Sequence, residues 1–205
     1  MLIIKDGLLT YSKGYLGLCL SFALVLMNIA CDALALETGE AVKIAQNPLT
    51  QRDYIKAFNT NAGDEFGASV AVSGNTLVVG AIREDSNGIG ADGNPSSNNL
   101  GSSGAVYVFV RNNGVWIQEA YLKAANPDVS DLFGQAVAIA GDTLVVGAGG
   151  EDSSTTGVNP VANDNASASG AAYVFTRNDG VWTQSAFLKA SNTGTSDNFG
   201  ASVDI

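Results

Sequence analysis

Apolar and polar residues alternate along most of this chain in short runs that are typical of β-strands. Four such runs follow one another from residue 66 to residue 124: FGASVAVS, TLVVGA, AVYVFVR and VWIQEAYLKA. Gly74-Asn75 and Asn113-Gly114 lie between neighbouring runs, and both dipeptides are typical of tight hairpin turns. A long polar segment, residues 82–104, separates the second run from the third. The pattern therefore predicts a four-stranded antiparallel unit.

The same unit recurs along the chain. Phe66, Phe133 and Phe199 each precede a glycine, at intervals of 67 and 66 residues. TLVVGA, Glu-Asp-Ser, Tyr-Val-Phe and Leu-Lys-Ala recur with the same period. This repeat predicts two complete units at 66–124 and 133–190, preceded by one outer strand at 51–58 and followed by the start of a further unit at 197–205.

The first three runs of each unit are apolar on both faces of the predicted sheet. Val106 and Val108 alternate with Tyr107 and Phe109, so we expect both faces to be covered. The fourth run carries polar residues, among them Lys123, which suits an outer edge. A small repeated sheet buried on both faces is typical of a β-propeller blade in an all-β protein. Stacked sandwiches and a β-solenoid are the alternatives, although a solenoid has a shorter period.

Two motifs of each unit resemble the FG-GAP repeat of integrin-type β-propellers. Phe66-Gly67 opens the first strand and Gly80-Ala81 closes the second. The second unit has Phe133-Gly134 and Gly147-Ala148 in these places. The proline of the family's Gly-Ala-Pro is Ile82 in the first unit.

The resemblance covers residues 51–205 and implies an integrin-like propeller made of four-stranded blades. It implies a non-catalytic binding or adhesion module with a protein or carbohydrate ligand at the cell surface. Many family blades bind calcium between their first two strands, but tight turns at Gly74-Asn75 and Gly141-Asp142 take that place here. A closed ring needs about four blades or more, so we expect an incomplete propeller and a fragment of a larger protein. Assembly of several copies is the alternative.

Composition narrows the choice of partner. The net charge is −10, and no cluster of Lys or Arg is present, which argues against a nucleic-acid partner. Histidine is absent, and the two cysteines, Cys19 and Cys31, lie in the N-terminal apolar stretch. We therefore expect no enzyme and no cysteine-based zinc site in residues 51–205. An extracellular enzyme with active residues elsewhere, or a purely structural surface repeat, remains the alternative.

The N-terminus has the features of an export signal. Residues 16–30 form an apolar run that Lys5 and Lys13 precede. An Ala-Leu-Ala pattern at 33–35 predicts cleavage before Leu36. We expect residues 1–35 to be a signal peptide, 36–50 a linker, and the protein periplasmic, secreted or on the cell surface.

Two other interpretations of this segment stay open. Asn-Ile-Ala-Cys at 28–31 resembles a bacterial lipobox, in which Cys31 would carry the lipid. The apolar run would otherwise remain as an uncleaved anchor. In each case the protein contacts a membrane only through its N-terminal segment.

The long loop of the first unit has the composition of a calcium site. Asp85, Asn87 and Asp92, with Glu84, offer the carboxylate and amide oxygens that calcium prefers. The competing interpretation is a turn-rich loop in which these side chains bond to backbone amides. No other cofactor is implied.

Aspartates and tryptophans recur at fixed places in the units. An aspartate stands two residues before each Phe-Gly, at Asp64, Asp131 and Asp197, and we expect it to bond backbone amides. Trp116 and Trp182 share one strand position, which favours packing between blades over a sugar-binding surface.

Overall fold

The computed structural model describes residues 2–5, 8–11 and 51–205. These residues form β-strands and contain no helix. The chain divides into two compact units, Met1–Asp53 and Tyr54–Ile205. In the first unit, β1 (Leu2–Lys5) and β2 (Leu8–Tyr11) pair as an antiparallel hairpin.

Most of the N-terminal segment, from residue 12 to residue 50, lies outside the described residues. The predicted signal core, the cleavage pattern, Cys31 and the linker all fall there. Among the residues that are described, no helix has the length and apolarity needed to span a membrane.

The second unit contains two antiparallel sheets. The first sheet has the order β3-β4-β5-β6, with strands Phe66–Ser73, Thr76–Ala81, Ala105–Asn112 and Val115–Leu122. The second has the order β7-β8-β10-β11-β9, with β7 at Ala136–Ala140, β8 at Thr143–Ala148, β9 at Gly157–Val158, β10 at Ala171–Asn178 and β11 at Val181–Lys189. This is the predicted all-β arrangement of two propeller-like blades, and the two sheets do not close into a ring.

The hairpins have the geometry that their sequences predict. Asn113 and Gly114 both have positive φ values, of 49° and 85°, as a type I′ turn requires. Asp179 and Gly180 repeat this at 49° and 80°. These turns set the register between the third and fourth strands of each sheet.

The core lies between the two sheets. Val106, Val108 and Leu122 of the first sheet are fully buried against the second, where Phe133 and Tyr173 are also fully buried. Fully burying such side chains stabilises the fold by about 1.5–3 kcal/mol each. The opposite face of the first sheet carries a second, smaller cluster around Tyr107 and Tyr121.

The motif glycines lie where the two sheets approach most closely. A Cβ on Gly80 would lie 2.2 Å from the carbonyl oxygen of Gly134, and a Cβ on Gly134 would lie 2.7 Å from the carbonyl oxygen of Ala105. Gly147 and Gly200 repeat this contact. The Phe-Gly of one blade thus packs, backbone to backbone, on the Gly-Ala of the blade before it.

The two flanking segments differ from expectation, because neither forms a strand. Residues 51–58 are not paired in a sheet, yet Ala57 is buried and the Phe58 ring packs edge-on against Tyr107 and Tyr121. Residues 197–205 carry only a single bridge, between Phe199 and Gly170. Ile55, Ala57 and Phe58 pack on the first blade and Phe199 bridges to the second, but within residues 54–205 neither segment has strands of its own blade to pair with.

The expectation that both faces of the first strand are covered is wrong for β3. Val70 and Val72 are 64% and 65% exposed. They pair across the sheet with Val79 and Leu77, so they lie on the face that points away from the second sheet. Ala71, on the other face, packs into the core between the sheets.

Candidate functional site

A fully buried ion pair lies beneath the long loop of the first sheet. Lys123 Nζ donates to Glu84 Oε2 at 3.1 Å and to Ser103 Oγ at 2.6 Å. Ser86 donates to the same carboxylate through its amide at 3.1 Å and its hydroxyl at 2.9 Å. Lys123 and Glu84 are both inaccessible to solvent. The fourth strand is the edge strand of the first sheet, as its polar residues predict, but Lys123 is buried there because the loop folds over the edge and supplies a carboxylate and hydroxyls.

An asparagine and a tyrosine extend this network. Asn59 Nδ2 donates to Glu84 Oε1 at 3.1 Å, and Tyr107 OH donates to Asn59 Oδ1 at 2.7 Å. The Tyr121 and Ser86 hydroxyls are 2.6 Å apart. The network thus joins the segment before the blade, the loop and two strands.

The second sheet builds the same network. Lys189 Nζ donates to Glu151 Oε2 at 2.5 Å and to Ser169 Oγ at 2.8 Å. Asn126 Nδ2 donates to Glu151 Oε1 at 3.3 Å, and Tyr173 OH donates to Asn126 Oδ1 at 3.1 Å. Asn126 follows the outer strand of the first sheet, so this network also ties one blade to the next.

Burial shifts the ionisation of the network. Desolvation lowers the pKa of Lys123, and the charge of Glu84 opposes this shift. Desolvation also raises the pKa of Tyr107 and Tyr173, and the neighbouring glutamates add to the rise. Both tyrosines therefore stay protonated at neutral pH and act as hydrogen-bond donors.

Asp85, the first calcium candidate, caps its own loop. Its Oδ1 accepts a hydrogen bond from the Ser102 amide at 2.7 Å. In the second sheet, Asp152 Oδ1 accepts the same bond from the Ala168 amide, also at 2.7 Å. The aspartate is thus part of the loop's fold in both repeats.

Asn87, the second candidate, bonds to Ser97 across the loop. Asn87 Oδ1 accepts from the Ser97 hydroxyl, and Ser97 Oγ accepts from the Asn87 amide at 3.0 Å. In the second sheet the serine comes first and the asparagine second: the Ser154 backbone amide donates to Asn163 Oδ1 at 3.0 Å. An uncharged pair thus closes each loop.

Asp92, the third candidate, holds the loop to the outer strand. Its Oδ1 accepts from the Tyr121 amide at 3.2 Å, while its own amide donates to the Tyr121 carbonyl at 2.6 Å. Asn159 makes both bonds to Phe187, at 2.8 Å and 2.7 Å. A neutral amide therefore serves as well as a carboxylate at this position.

The three candidates are engaged at different places along the loop. Among residues 51–205 and the N-terminal hairpin, no group of three or more acidic, histidine or cysteine side chains has the arrangement of a metal site. Calcium binding by Asp85, Asn87 and Asp92 stays a prediction.

The aspartates before each Phe-Gly bond backbone amides as expected. Oδ2 of Asp64, Asp131 and Asp197 accepts from the amide three residues earlier, at 2.8, 2.7 and 2.6 Å. Asp131 is 1% exposed, and its Oδ1 has no hydrogen-bond partner in the part of the chain that the structure describes. Burial, reinforced by the charge of Glu151, raises the pKa of Asp131 to about 7.

A groove of about 320 Å³ lies beside the first network. Tyr54, Lys56, Asn61, Asp64 and Tyr107 are among its lining residues. It combines aromatic and polar groups, as small-ligand sites do.

Comparison with known families assigns the fold. The FG-GAP repeat pattern matches residues 49–109 and 116–175, which together are more than half of the chain. The chain belongs to the FG-GAP repeat family. The first match ends in the third strand of the first blade. The second starts in the outer strand of the first blade and ends in the third strand of the second, so it spans the contact between the two blades. A search among curated proteins finds no match to this chain.

Sequence reasoning missed the buried role of Lys123 and the role of Asn59. A signal for both was present, because Leu-Lys-Ala recurs at 122–124 and 188–190, and Ala-x-Asn at 57–59 and 124–126. A lysine and an asparagine repeated in register with a glutamate indicate a shared contact. The first FG-GAP match contains Asn59 and Glu84, whereas their partner Lys123 lies in the second match.

Proposed function

We propose that this FG-GAP chain is an exported, non-catalytic binding or adhesion module. Its ligand is a protein or carbohydrate at the cell surface. The proposal rests on the structure of the two long loops, which combine an internally bonded backbone with exposed apolar side chains. Their polar side chains fix the loop backbone, while Ile89 and Val161 stand 62% and 87% exposed. A loop that is held rigid loses little conformational entropy when it binds a ligand.

The duplication of the buried ion pair supports a non-catalytic role. Glu84 and Lys123 have full counterparts in Glu151 and Lys189, whereas catalytic sites are normally single. Export is argued from the apolar run at 16–30 and the Ala-Leu-Ala pattern that follows it.

Labelled protein on arrays of glycans and of extracellular proteins tests the binding role. We expect retention that falls in Ile89→Ser and Val161→Ser. The matched control is Val181→Ser, which removes a valine of 63% exposure at the hairpin end of the sheet. Turnover of an arrayed glycan, or retention that depends on Val181 alone, would contradict the proposal.

Fractionation of the producing cells tests export. We expect the protein outside the cytoplasm with Leu36 as its first residue. A lipid on Cys31 would support the lipobox alternative, and cytoplasmic retention would exclude both.

A further inference from the structure

Each buried network holds an amine and an amide on the two oxygens of one carboxylate. Lys123 Nζ lies on Glu84 Oε2, and Asn59 Nδ2 lies on Glu84 Oε1, both at 3.1 Å. Because the two oxygens share one carbon, the amine and the amide both lie within hydrogen-bonding distance of a single carboxylate. The hydroxyl of Tyr107 donates to the carbonyl oxygen of the same amide at 2.7 Å.

The geometry points to a covalent side-chain amide between Lys123 and Asn59. The same arrangement assigns a second amide between Lys189 and Asn126, with Glu151 between them. In this assignment the lysine amine is the nucleophile and the asparagine Cγ is the electrophile. The carboxylate moves the proton, and the tyrosine hydroxyl stabilises the charge on the amide oxygen.

The reaction balances without an oxidant or a cofactor. Lys123 first transfers a proton to Glu84, and the neutral amine attacks Asn59 Cγ, so that a C–N bond forms. Tyr107 donates to the oxyanion of the tetrahedral intermediate. Glu84 relays the second amine proton to Nδ2, the C–Nδ2 bond breaks, and ammonia leaves. The products are one secondary amide, a protonated Glu84 and one ammonia.

The surroundings favour this step. A lysine attacks only as a neutral amine, and Lys123 is completely removed from solvent, which opposes its charge. The step replaces a buried ion pair by a neutral amide and a neutral acid, which removes the cost of burying two charges. Close placement of the groups raises their effective concentration.

The two links would cross-brace the blades. The first joins the segment before the first blade to its outer strand, and the second joins the connection between the blades to the outer strand of the second. Each closes a chain loop of more than 60 residues, between positions 59 and 123 and between 126 and 189. Residues 51–205 contain no cysteine and so no disulfide. These links would stabilise the fold as disulfides do, by constraining the unfolded chain.

Tryptic digestion and tandem mass spectrometry of the purified full chain test the inference. We expect a branched peptide that joins Asn59 to Lys123 and lacks one ammonia, with no cleavage after Lys123. A second branched peptide should join Asn126 to Lys189. Asn59 and Lys123 recovered in separate linear peptides, from protein that unfolds cooperatively, would overturn the inference. Loss of ammonia confined to Asn87-Gly88 or Asn113-Gly114 would also overturn it, because a local succinimide explains that loss.

Glu84→Gln separates the covalent step from the fold. The variant keeps an oxygen and a nitrogen at the site but cannot take up the lysine proton. We expect the Asn59–Lys123 link to disappear while the Asn126–Lys189 link persists in the same molecules as an internal control. Persistence of the first link would overturn the role assigned to Glu84.

Discussion

The two blades share one sequence pattern, but equivalent side chains are buried to different degrees. Phe133 is fully buried and Trp182 is 2% exposed, whereas Phe66 and Trp116 are only partly buried. The first pair faces the neighbouring blade. The second pair lies on a face that residues 55–58 cover in part. The motif phenylalanine and the tryptophan are therefore fully buried only where another blade packs on them, whereas Tyr107 and Tyr121 are already buried on the face that residues 55–58 cover in part.

The arginine that stacks on each tryptophan shows the same contrast. Arg177 lies 5.2 Å from the Trp182 ring centroid, and Arg111 lies 5.5 Å from that of Trp116. Glu119, from the first blade, accepts from Arg177 at 3.0 Å and from the Trp182 indole at 2.9 Å. Among residues 51–205, the Arg111 side chain bonds within its own blade, to Asn75 at 3.3 Å. The contact between blades thus adds polar bonds to the shared stacking.

The largest effect is expected from a methyl group placed between the blades. Gly134 and Gly67 have similar φ values, 91° and 98°, but a Cβ on Gly67 would meet no atom of the described residues within 4 Å. Gly134→Ala should lower the free energy of unfolding by about 3 kcal/mol or more, because it adds a clash to backbone strain. Gly67→Ala, the matched control, should cost about 1–2 kcal/mol. Urea unfolding measures both, and equal losses would break the comparison.

A smaller effect concerns pH. The pKa of Asp131 rises from 3.8 to about 7 on folding, so the folded state binds the proton more tightly. Below about pH 4 the carboxyl is protonated in both states, so it leaves the free energy of unfolding unchanged. As the pH rises towards 7, the carboxyl ionises in the unfolded state before it does in the folded state, and the free energy of unfolding falls progressively. Asp131→Asn should flatten this decline and stabilise the protein at pH 8 by about 2 kcal/mol.

Asp64→Asn is the matched variant in the first blade. Desolvation raises the pKa of Asp64 too, but Asp64 is less completely buried than Asp131, at 6% exposed against 1%. Its gain at pH 8 should be smaller than that of Asp131→Asn. Thermal unfolding across pH 4–8 measures both, and a loss of stability in Asp131→Asn at pH 8 would reject the assignment.

Glu119→Ala removes two of the polar bonds between the blades, those from Arg177 and Trp182. The Trp182 indole would lose its acceptor, so we expect a loss of about 1–2 kcal/mol. Ser185 occupies the equivalent bulge in the second blade, and its hydroxyl donates to Val174 O of its own blade at 3.1 Å. Ser185→Ala should change stability by less than about 0.5 kcal/mol. Equal costs in chemical unfolding would show that Glu119 adds nothing between the blades.

The smallest effect is expected at Asp92. Because Asn159 makes the same bonds, Asp92→Asn should stay within about 0.5 kcal/mol of the parent, and Asp92→Ala should lose about 1 kcal/mol. Calcium titration of the parent and of Asp92→Asn tests the calcium prediction in the same experiment. Calcium-dependent stabilisation that Asp92→Asn abolishes would assign Asp92 as a ligand.

Most of the fold is predictable from the sequence, because turn chemistry and strand composition are local. Asn113-Gly114 and TLVVGA, for example, predict their hairpin and strand within a residue or two. The burial of Lys123 is not predictable in this way, since an edge lysine looks the same whether or not a loop covers it. The exposure of Val70 depends on which blade lies beside it, and an alternating pattern carries no such information.

Quenching of the two tryptophans tests most directly whether the neighbouring blade determines burial. The chain has only Trp116 and Trp182, so Trp116→Phe and Trp182→Phe each leave one reporter. With acrylamide as the quencher, Trp182 should be shielded and emit at shorter wavelength, because the first blade covers it. Trp116 should be quenched several-fold more readily. Equal quenching of the two indoles in folded protein would contradict the stacked arrangement of the blades.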